Sequence, residues 1–410
     1  MNVAVIGAGI VGLSSATALR HEGHDVVVFD RLPPGEACSF GNSGAMARYQ
    51  ALPMATPGIL WKVPGYLSDP LGPLVLRARY FPQLVPWLLR FIGASSASRF
   101  PKILDALVSL MRQSYEDWDT LIERAQLQAL FRNDGALSLY RSADAREHSW
   151  PLWQMLVERG ARVERIEGPK LRELEPAAPD DYHYGVFDPD YRRALDPHQV
   201  CVQLASHFER AGGHIRRENV AELALASNRV TSLRTNKGQH TFDRLVIAGG
   251  AWSNELTKRL GYNVPLESAR GYHVTMRDAG MMPRRVLFIS DMRMSLTPMS
   301  SGLRLGGSIE FAGLYSPPNF DRPAGQLKKL RRIYPNLRTD DHTKWAGDRP
   351  LLPDSLPIIG RCTRYTNVVY AFGHGQYGLA LAAATGRLVA EVVAERTPSV
   401  DLTPYRIDRF

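Results

Sequence analysis

Cysteine is scarce in this chain: three residues in 410, Cys38, Cys201 and Cys362, far apart and with no CxxC pair. That spacing supports neither a zinc cage nor a disulfide framework, so no metal is expected. An odd number of thiols in a chain this long fits a reducing compartment. Lysine-rich runs are missing too. The formal net charge is +9, but the basic residues are dispersed and mostly arginine, without the basic, aromatic-interleaved stripe of a nucleic-acid partner. There is no internal repeat, low-complexity tract or Gly/Ser linker. The most apolar stretch, Leu71 to Ile92, is interrupted by Pro82 and Pro86 and carries Arg77, Arg79 and Arg90, which excludes a spanning helix. It reads as a buried helical segment, with docking on a membrane surface as the alternative. Strand-like residues begin at Val3, so no leader segment is expected. The expected location is the cytoplasm, with peripheral attachment to the inner face of the cytoplasmic membrane left open.

What is present is concentrated at the start. A strand-like run, Val3 to Ile6, leads into Gly7-Ala8-Gly9-Ile10-Val11-Gly12, a helical stretch from Leu13 to Glu22, and a second strand, Val26 to Phe29, ending on Asp30. Gly7 allows a tight turn, Gly9 opens the helix N-terminus at Ile10 and Val11 to phosphate oxygens, and Gly12 lets helix and strand pack closely. Asp30 falls where a carboxylate accepts hydrogen bonds from a ribose 2′-hydroxyl. It would repel a 2′-phosphate; Arg31 beside it keeps that minor option open. Strand, helix, strand and terminal acid in this order point to a bound adenine dinucleotide.

A chain of 410 residues suits two domains. Signs of the dinucleotide domain recur in three places, residues 1–54, 196–265 and 346–410. The second piece opens on Asp196-Pro197, as at a helix start, and that helix runs through Ala211 to end on Gly212-Gly213. Short strands follow around Ile215, Val220 and Val230. The apolar run from Leu245 to Ala248 reads as a buried parallel strand. It is followed by Gly249, Gly250 and Trp252, where backbone passes close to something else. The third piece has a strand from Val368 to Phe372, then Gly373-His374-Gly375-Gln376-Tyr377-Gly378, and a helix from Leu379 to Ala394. Residues 55–195 and 266–345 belong to the second domain. Apolar residues at helical spacing run from Ile103 to Ala125. Alternation marks strands at Ala136 to Tyr140, Tyr272 to Met276, Met292 to Pro298 and Leu303 to Phe311, the last two forming a hairpin. The fold class is α/β: a discontinuous Rossmann-like cofactor domain plus a mostly antiparallel α+β substrate domain, whose sheet offers a wall for a small substrate.

Together with Gly347-Asp348-Arg349-Pro350, these motifs resemble the FAD-dependent amine and amino-acid oxidoreductases of the D-amino-acid oxidase type. Among them, the chain looks most like the bacterial D-amino-acid dehydrogenases and D-hydroxyproline dehydrogenases, over nearly its full length. The resemblance implies FAD, held non-covalently. The stretch from Asp30-Arg31 to Cys38-Ser39-Phe40-Gly41-Asn42-Ser43-Gly44 is similar to the segment that wraps FAD, with Asp30 on the adenosine ribose. Ser39, Asn42, Ser43 and Gly44 would offer donors to phosphates and flavin. Val220, Ala248, Gly249, Gly250 and Trp252 complete that side. In the family, the helix opened by Gly373 to Gly378 points its N-terminus at the flavin pyrimidine, which brings Gly373, Gly375, Gln376, Tyr377, Gly378 and Leu379 into the cofactor set. Reduction places negative charge there, and a helix N-terminus supplies unpaired N–H groups and partial positive charge. His374 reads as a second donor near the flavin or as a capping histidine.

The resemblance gives Arg349 the substrate carboxylate, for which a guanidinium is a matching fork. Tyr272 starts a strand that borders the substrate cavity in relatives and is the third candidate catalytic residue. Tyr315, and Met46, Arg48, Tyr49 and Gln50, are weaker candidates for its edges. The implied reaction is oxidation of a D-amino acid, its α-hydrogen passing as hydride to flavin N5 and the electrons then to a quinone, carrier or oxygen instead of NAD. A cyclic secondary amine such as D-proline or hydroxy-D-proline is the alternative substrate, and a glycine/sarcosine-type amine oxidase a further one. An NAD-dependent dehydrogenase would share the first fingerprint but has no use for the second glycine-rich helix start. A flavin-holding subunit that needs a partner is the non-catalytic alternative.

Overall fold

The computed structural model describes residues 1–48, 52–59, 61, 63, 65 and 72–410. Leu71, Tyr49 and Gln50 lie outside the described residues.

A six-stranded sheet is built from strands His214–Arg217, Asp25–Asp30, Asn2–Ile6, Arg244–Ile247, Val368–Phe372 and Ile358–Arg361, side by side in that order. All pairs are parallel except the last. Its central strands are apolar on both faces because both are covered. Val3 and Val5 face a layer formed with Leu13, Leu204 and Val389, from helices Ile10–His21, Pro197–Arg210 and Gly378–Val393. Ala4 and Ile6 face Val230, Leu233 and Leu256 on the other side. Asp196 caps its helix as expected, accepting from the His198 and Gln199 N–H groups at 3.0 and 3.1 Å.

The second sheet has nine strands, in the order His342–Leu351, Glu267–Met276, Gly302–Phe311, Met294–Met299, Val286–Ile289, Ala136–Tyr140, Tyr184–Asp188 and Glu164–Glu167, with Leu74–Leu76 added beside Gly302–Phe311. It is mostly antiparallel; Val286–Ile289 on Ala136–Tyr140 and Leu74–Leu76 on Gly302–Phe311 are the two parallel pairs. The expected hairpin closes on Ser300-Ser301. Leu137, Val274, Leu296 and Leu305 pack with Leu327 and Leu330 of helix Asp321–Leu330 to form this sheet's own core.

Two stretches differ from their sequence reading. The helical stretch to Ala125 is two helices, Phe100–Arg112 and Ser114–Ala125, broken at Gln113. The apolar stripe runs through the break, so periodicity does not reveal it. Both helices lean on the C-terminal helix: Leu107 and Leu110 pack with Leu381 and Leu388, and the Trp118 indole N–H donates to the Leu379 carbonyl at 3.0 Å. The apolar stretch that ends near Ile92 is strand Leu74–Leu76 followed by helix Phe81–Ala94. This helix is half-buried, with Leu84 and Trp87 inward and Phe81, Leu89 and Ile92 exposed. Among the described residues, no helix is long and apolar enough to cross a membrane.

Candidate active site

The cleft between the two sheets starts at the C-terminal ends of the parallel strands, where an α/β sheet binds its ligands. Gly7 and Gly12 serve backbone packing: a Cβ at Gly12 would overlap the Gly7 carbonyl, and one at Gly7 would overlap the Ala248 carbonyl. Gly9 is different. A Cβ there would meet only Ser39 Oγ, at 3.4 Å, so its missing side chain leaves room in front of the first helix. Asp30 closes the loop, accepting from the Ala8 N–H at 2.7 Å and the Leu32 N–H at 2.9 Å. Ser39 Oγ accepts from the Ile10 N–H at 3.1 Å, tying the loop after Asp30 to the helix start.

Gly7, Gly9, Ile10, Val11, Asp30, Arg31, Ser39, Asn42, Val220, Ala248, Gly249, Gly250 and Trp252 line one cleft with Gly373, His374, Gly375, Gly378 and Leu379. Its empty space is about 1230 Å³, open mouth included, enough for a dinucleotide. Arg31 lies over the Trp252 ring, 4.4 Å from its centroid. Gly250 has φ +55° and open space where a side chain would be. Two helix openings, at Gly9 and at Gly373–Gly378, thus meet one elongated cavity through bare backbone. That is the cradle a dinucleotide with two phosphates and a flavin ring requires, and the residues fit FAD.

Other expected residues sit elsewhere. Ser43 is exposed, and Gly44 shapes a turn, its N–H donating to Asn42 Oδ1 at 2.8 Å. Tyr377 is buried, its hydroxyl donating to the Leu52 carbonyl at 2.6 Å and accepting from Gln376 Nε2 at 2.7 Å. These four do not line the cleft, and nor does Gly12, which lies behind its wall. His374 is held by Thr385, Nε2 to Oγ1 at 2.9 Å, and burial pushes its pKa down to about 3; it is a neutral imidazole.

Arg349 stands on the edge strand of the nine-stranded sheet. Its neighbours Asp348 and Pro350 line the cleft, and its charge reaches the Cys38 thiol on the cleft wall. Burial lowers the guanidinium's pKa. Among the described residues, none forms an ion pair or hydrogen bond with it. Other buried arginines differ: Arg270 donates from Nε to Asp348 at 3.0 Å, and Arg304 donates to the Asn42 carbonyl. On the same sheet face as Arg349, His273 stacks on Trp345 with ring centroids 4.9 Å apart, and its Nδ1–H donates to the Gly41 carbonyl at 3.2 Å. Burial, then the charges of Arg304 and Arg349, push the His273 pKa down to about 2. This face thereby clamps the Gly41–Asn42 loop against the cleft.

Tyr272 lies on the opposite face. It pairs across the strand with Ala346, three residues from Arg349, and this odd separation puts the two side chains on opposite faces. Its hydroxyl donates to Glu310 and accepts from the Asn319 N–H at 2.9 Å, so the structure does not bring it to Arg349. Tyr315 is 75% exposed, Met46 is buried under Tyr115, and Arg48 pairs with Glu116; none lines the cleft.

Sequence reading missed several cleft residues, among them Cys38, Asp348 and Glu218. Cys38 sits inside the quoted motif, and burial pushes its thiol up to about 11. Asp348 stands in the Arg349 motif, fixed by Ser268 and Arg270. Glu218, just before Val220, is held below the usual carboxylate range by the Thr235 hydroxyl and then by His240, and its N–H donates to the Asp30 carbonyl at 2.8 Å.

The FAD dependent oxidoreductase family matches residues 2–392, and this chain belongs to it. It is 35% identical to a D-amino-acid oxidase of Bradyrhizobium diazoefficiens, over 100% of this chain and 99% of that protein. It is 31% identical to a D-amino acid dehydrogenase of Paramagnetospirillum magneticum, with the same coverage. Among solved structures it resembles glycine oxidase from Geobacillus kaustophilus (TM-score 0.77, 19% identity, 100% and 98% of the two chains). It also resembles L-proline dehydrogenase from P. horikoshii (TM-score 0.76, 20% identity, 100% and 97%). Both share its fold. The chain is therefore a FAD-dependent oxidoreductase.

Proposed function

We propose that this protein oxidises a D-amino acid at its α-carbon, gripping the substrate carboxylate with Arg349. The observation that carries this reading is a partly desolvated guanidinium beside a dinucleotide cleft with no ion pair or hydrogen bond among the described residues, whereas the buried Arg270 and Arg304 are both hydrogen-bonded. The full-length relatives named for D-amino acids support the stereochemistry. FAD, when bound, supplies the hydride acceptor and passes the electrons on to an acceptor other than NAD. Non-covalent attachment is supported by Cys38, whose raised pKa keeps it a thiol.

The chain's own residues bind and orient. The N–H groups of Gly9 and Val11 take the pyrophosphate, that of Ile10 being held by Ser39 Oγ, and the second helix opening stabilises negative charge. Arg349 sets the substrate's plane, and the Trp345–His273 stack holds the loop against it. Neutral His374 adds no charge, and orientation of an amine lone pair needs no acid–base pair. Domain divisions after residues 54, 195, 265 and 345 belong to this proposal, supported by the three separate segments that supply the six-stranded sheet. Anaerobic mixing of the purified protein with D-alanine, D-proline, L-alanine and glycine tests the function. Bleaching of the flavin by D-substrates is expected; bleaching by L-alanine alone contradicts it, and a preference for D-proline selects the cyclic alternative.

A second observation supports peripheral membrane docking. Helix Phe81–Ala94 exposes Phe81, Leu89 and Ile92 beside Arg79 and Arg90, in a stretch without an acid from residue 70 to 104. Sedimentation with anionic but not neutral vesicles is expected; equal recovery in both supernatants contradicts it.

A further inference from the structure

Strands Glu267–Met276 and His342–Leu351 place Gly271 directly across from Gly347. Glycine inside a strand weakens it, and neither residue is among the glycines with positive φ, so backbone conformation does not require glycine here. Space does. A Cβ at Gly271 would overlap Cζ and both terminal nitrogens of Arg349, and those three are its nearest atoms. At Gly347 the nearest atoms all belong to the Trp345 indole. The rung without side chains is a trough two strands wide, filled from one end by the guanidinium and from the other by the indole. The indole is fixed in turn by His273 and by Gly41.

We infer that Gly271 is a positioning residue that seats the Arg349 guanidinium flat on the strand and fixes the plane in which a substrate carboxylate docks. The inference rests on Arg349 being the carboxylate group of the site. A guanidinium binds a carboxylate well only when both forks lie in one plane, so tilting it costs affinity while its charge stays in place. The nearest neighbours of an added methyl are the far end of a flexible side chain, so Gly271→Ala displaces Arg349 without breaking the sheet.

The test uses the FAD-loaded protein and sodium benzoate, a carboxylate without an amine, titrated by its perturbation of the flavin spectrum. Gly271→Ala, Arg349→Ala and the double variant are compared for benzoate dissociation constant, FAD content and thermal midpoint. Gly271→Ala is expected to weaken benzoate tenfold or more with FAD content unchanged, and to have no further effect in the Arg349→Ala background. Equal weakening in both backgrounds, or wild-type affinity in Gly271→Ala, overturns the inference. If Gly271→Ala fails to fold even beside Arg349→Ala, the methyl meets something other than the guanidinium, and the inference is again overturned. Wild-type benzoate affinity in Arg349→Ala instead removes the carboxylate reading on which the inference rests.

Discussion

The two walls of the cleft recognise their ligands by opposite means. On the six-stranded side the wall is backbone: Gly9 and Gly250 remove side chains so that N–H groups and helix ends face the cavity. On the nine-stranded side it is side chains on a rigid sheet: Asp348, fixed by Arg270, lines the cleft, and next to it Arg349, without an ion pair or hydrogen bond among the described residues, shares a sheet face with the His273–Trp345 stack. The cofactor wall offers partial charges that suit an anionic dinucleotide of any detail; the substrate wall offers one full charge in one orientation. The packing behind the backbone wall, at Gly7 and Gly12, has no room for an added methyl, whereas a side-chain wall can be edited one group at a time.

The largest effect should come from disturbing the packing behind the backbone wall. Gly12→Ala adds a methyl overlapping the Gly7 carbonyl, an overpacking that costs about 3 kcal/mol; protein that purifies without flavin and with a lowered melting temperature is the expected outcome, read by absorbance and calorimetry. On the other wall, Arg349→Ala should leave FAD bound and raise KM by about 100-fold, the ~3 kcal/mol of a charge-assisted bidentate contact; steady-state rates against substrate concentration check this.

The buried histidines should make the assembly acid-sensitive. His273 and His374 have folded pKa values of about 2 and about 3 against an ordinary 6.5. The unfolded chain binds the extra protons, so stability is full above pH ~6.5 and falls below it by about 1.4 kcal/mol per pH unit for each histidine. Melting temperatures between pH 8 and pH 5 should show this fall, with a shallower slope in His374→Gln. Tyr272→Phe is the mildest change. Losing the hydroxyl's bond to Glu310 should cost about 1 kcal/mol of stability, since Glu310 keeps Arg77 at 2.8 Å, while KM stays unchanged. A large rise in KM would mean that Tyr272 reaches the substrate.

The same contrast governs what could be read from the sequence. The glycine turns, the Asp196 cap and the Ser300-Ser301 hairpin are local, so a few adjacent residues specify them. Arg349 was legible because its motif is contiguous. The strand order of the larger sheet, its two parallel pairs and the break at Gln113 depend on contacts between distant segments that leave no local periodicity. His374 lies in a readable motif, but its partner Thr385 is a helix length away. Alternation alone does not say which residues of Glu267–Met276 share a face with Arg349 on the neighbouring strand; that depends on the register, which puts Tyr272 on the other face.

The central contact joins a substrate carboxylate to the Arg349 guanidinium beside bound FAD. A crystal structure of the FAD-loaded protein soaked with a non-reactive amino-acid analogue tests it most directly. The expected result is both carboxylate oxygens within hydrogen-bond distance of Arg349, its guanidinium flat over Gly271. A carboxylate held by other residues, with no hydrogen bond to Arg349, would contradict it.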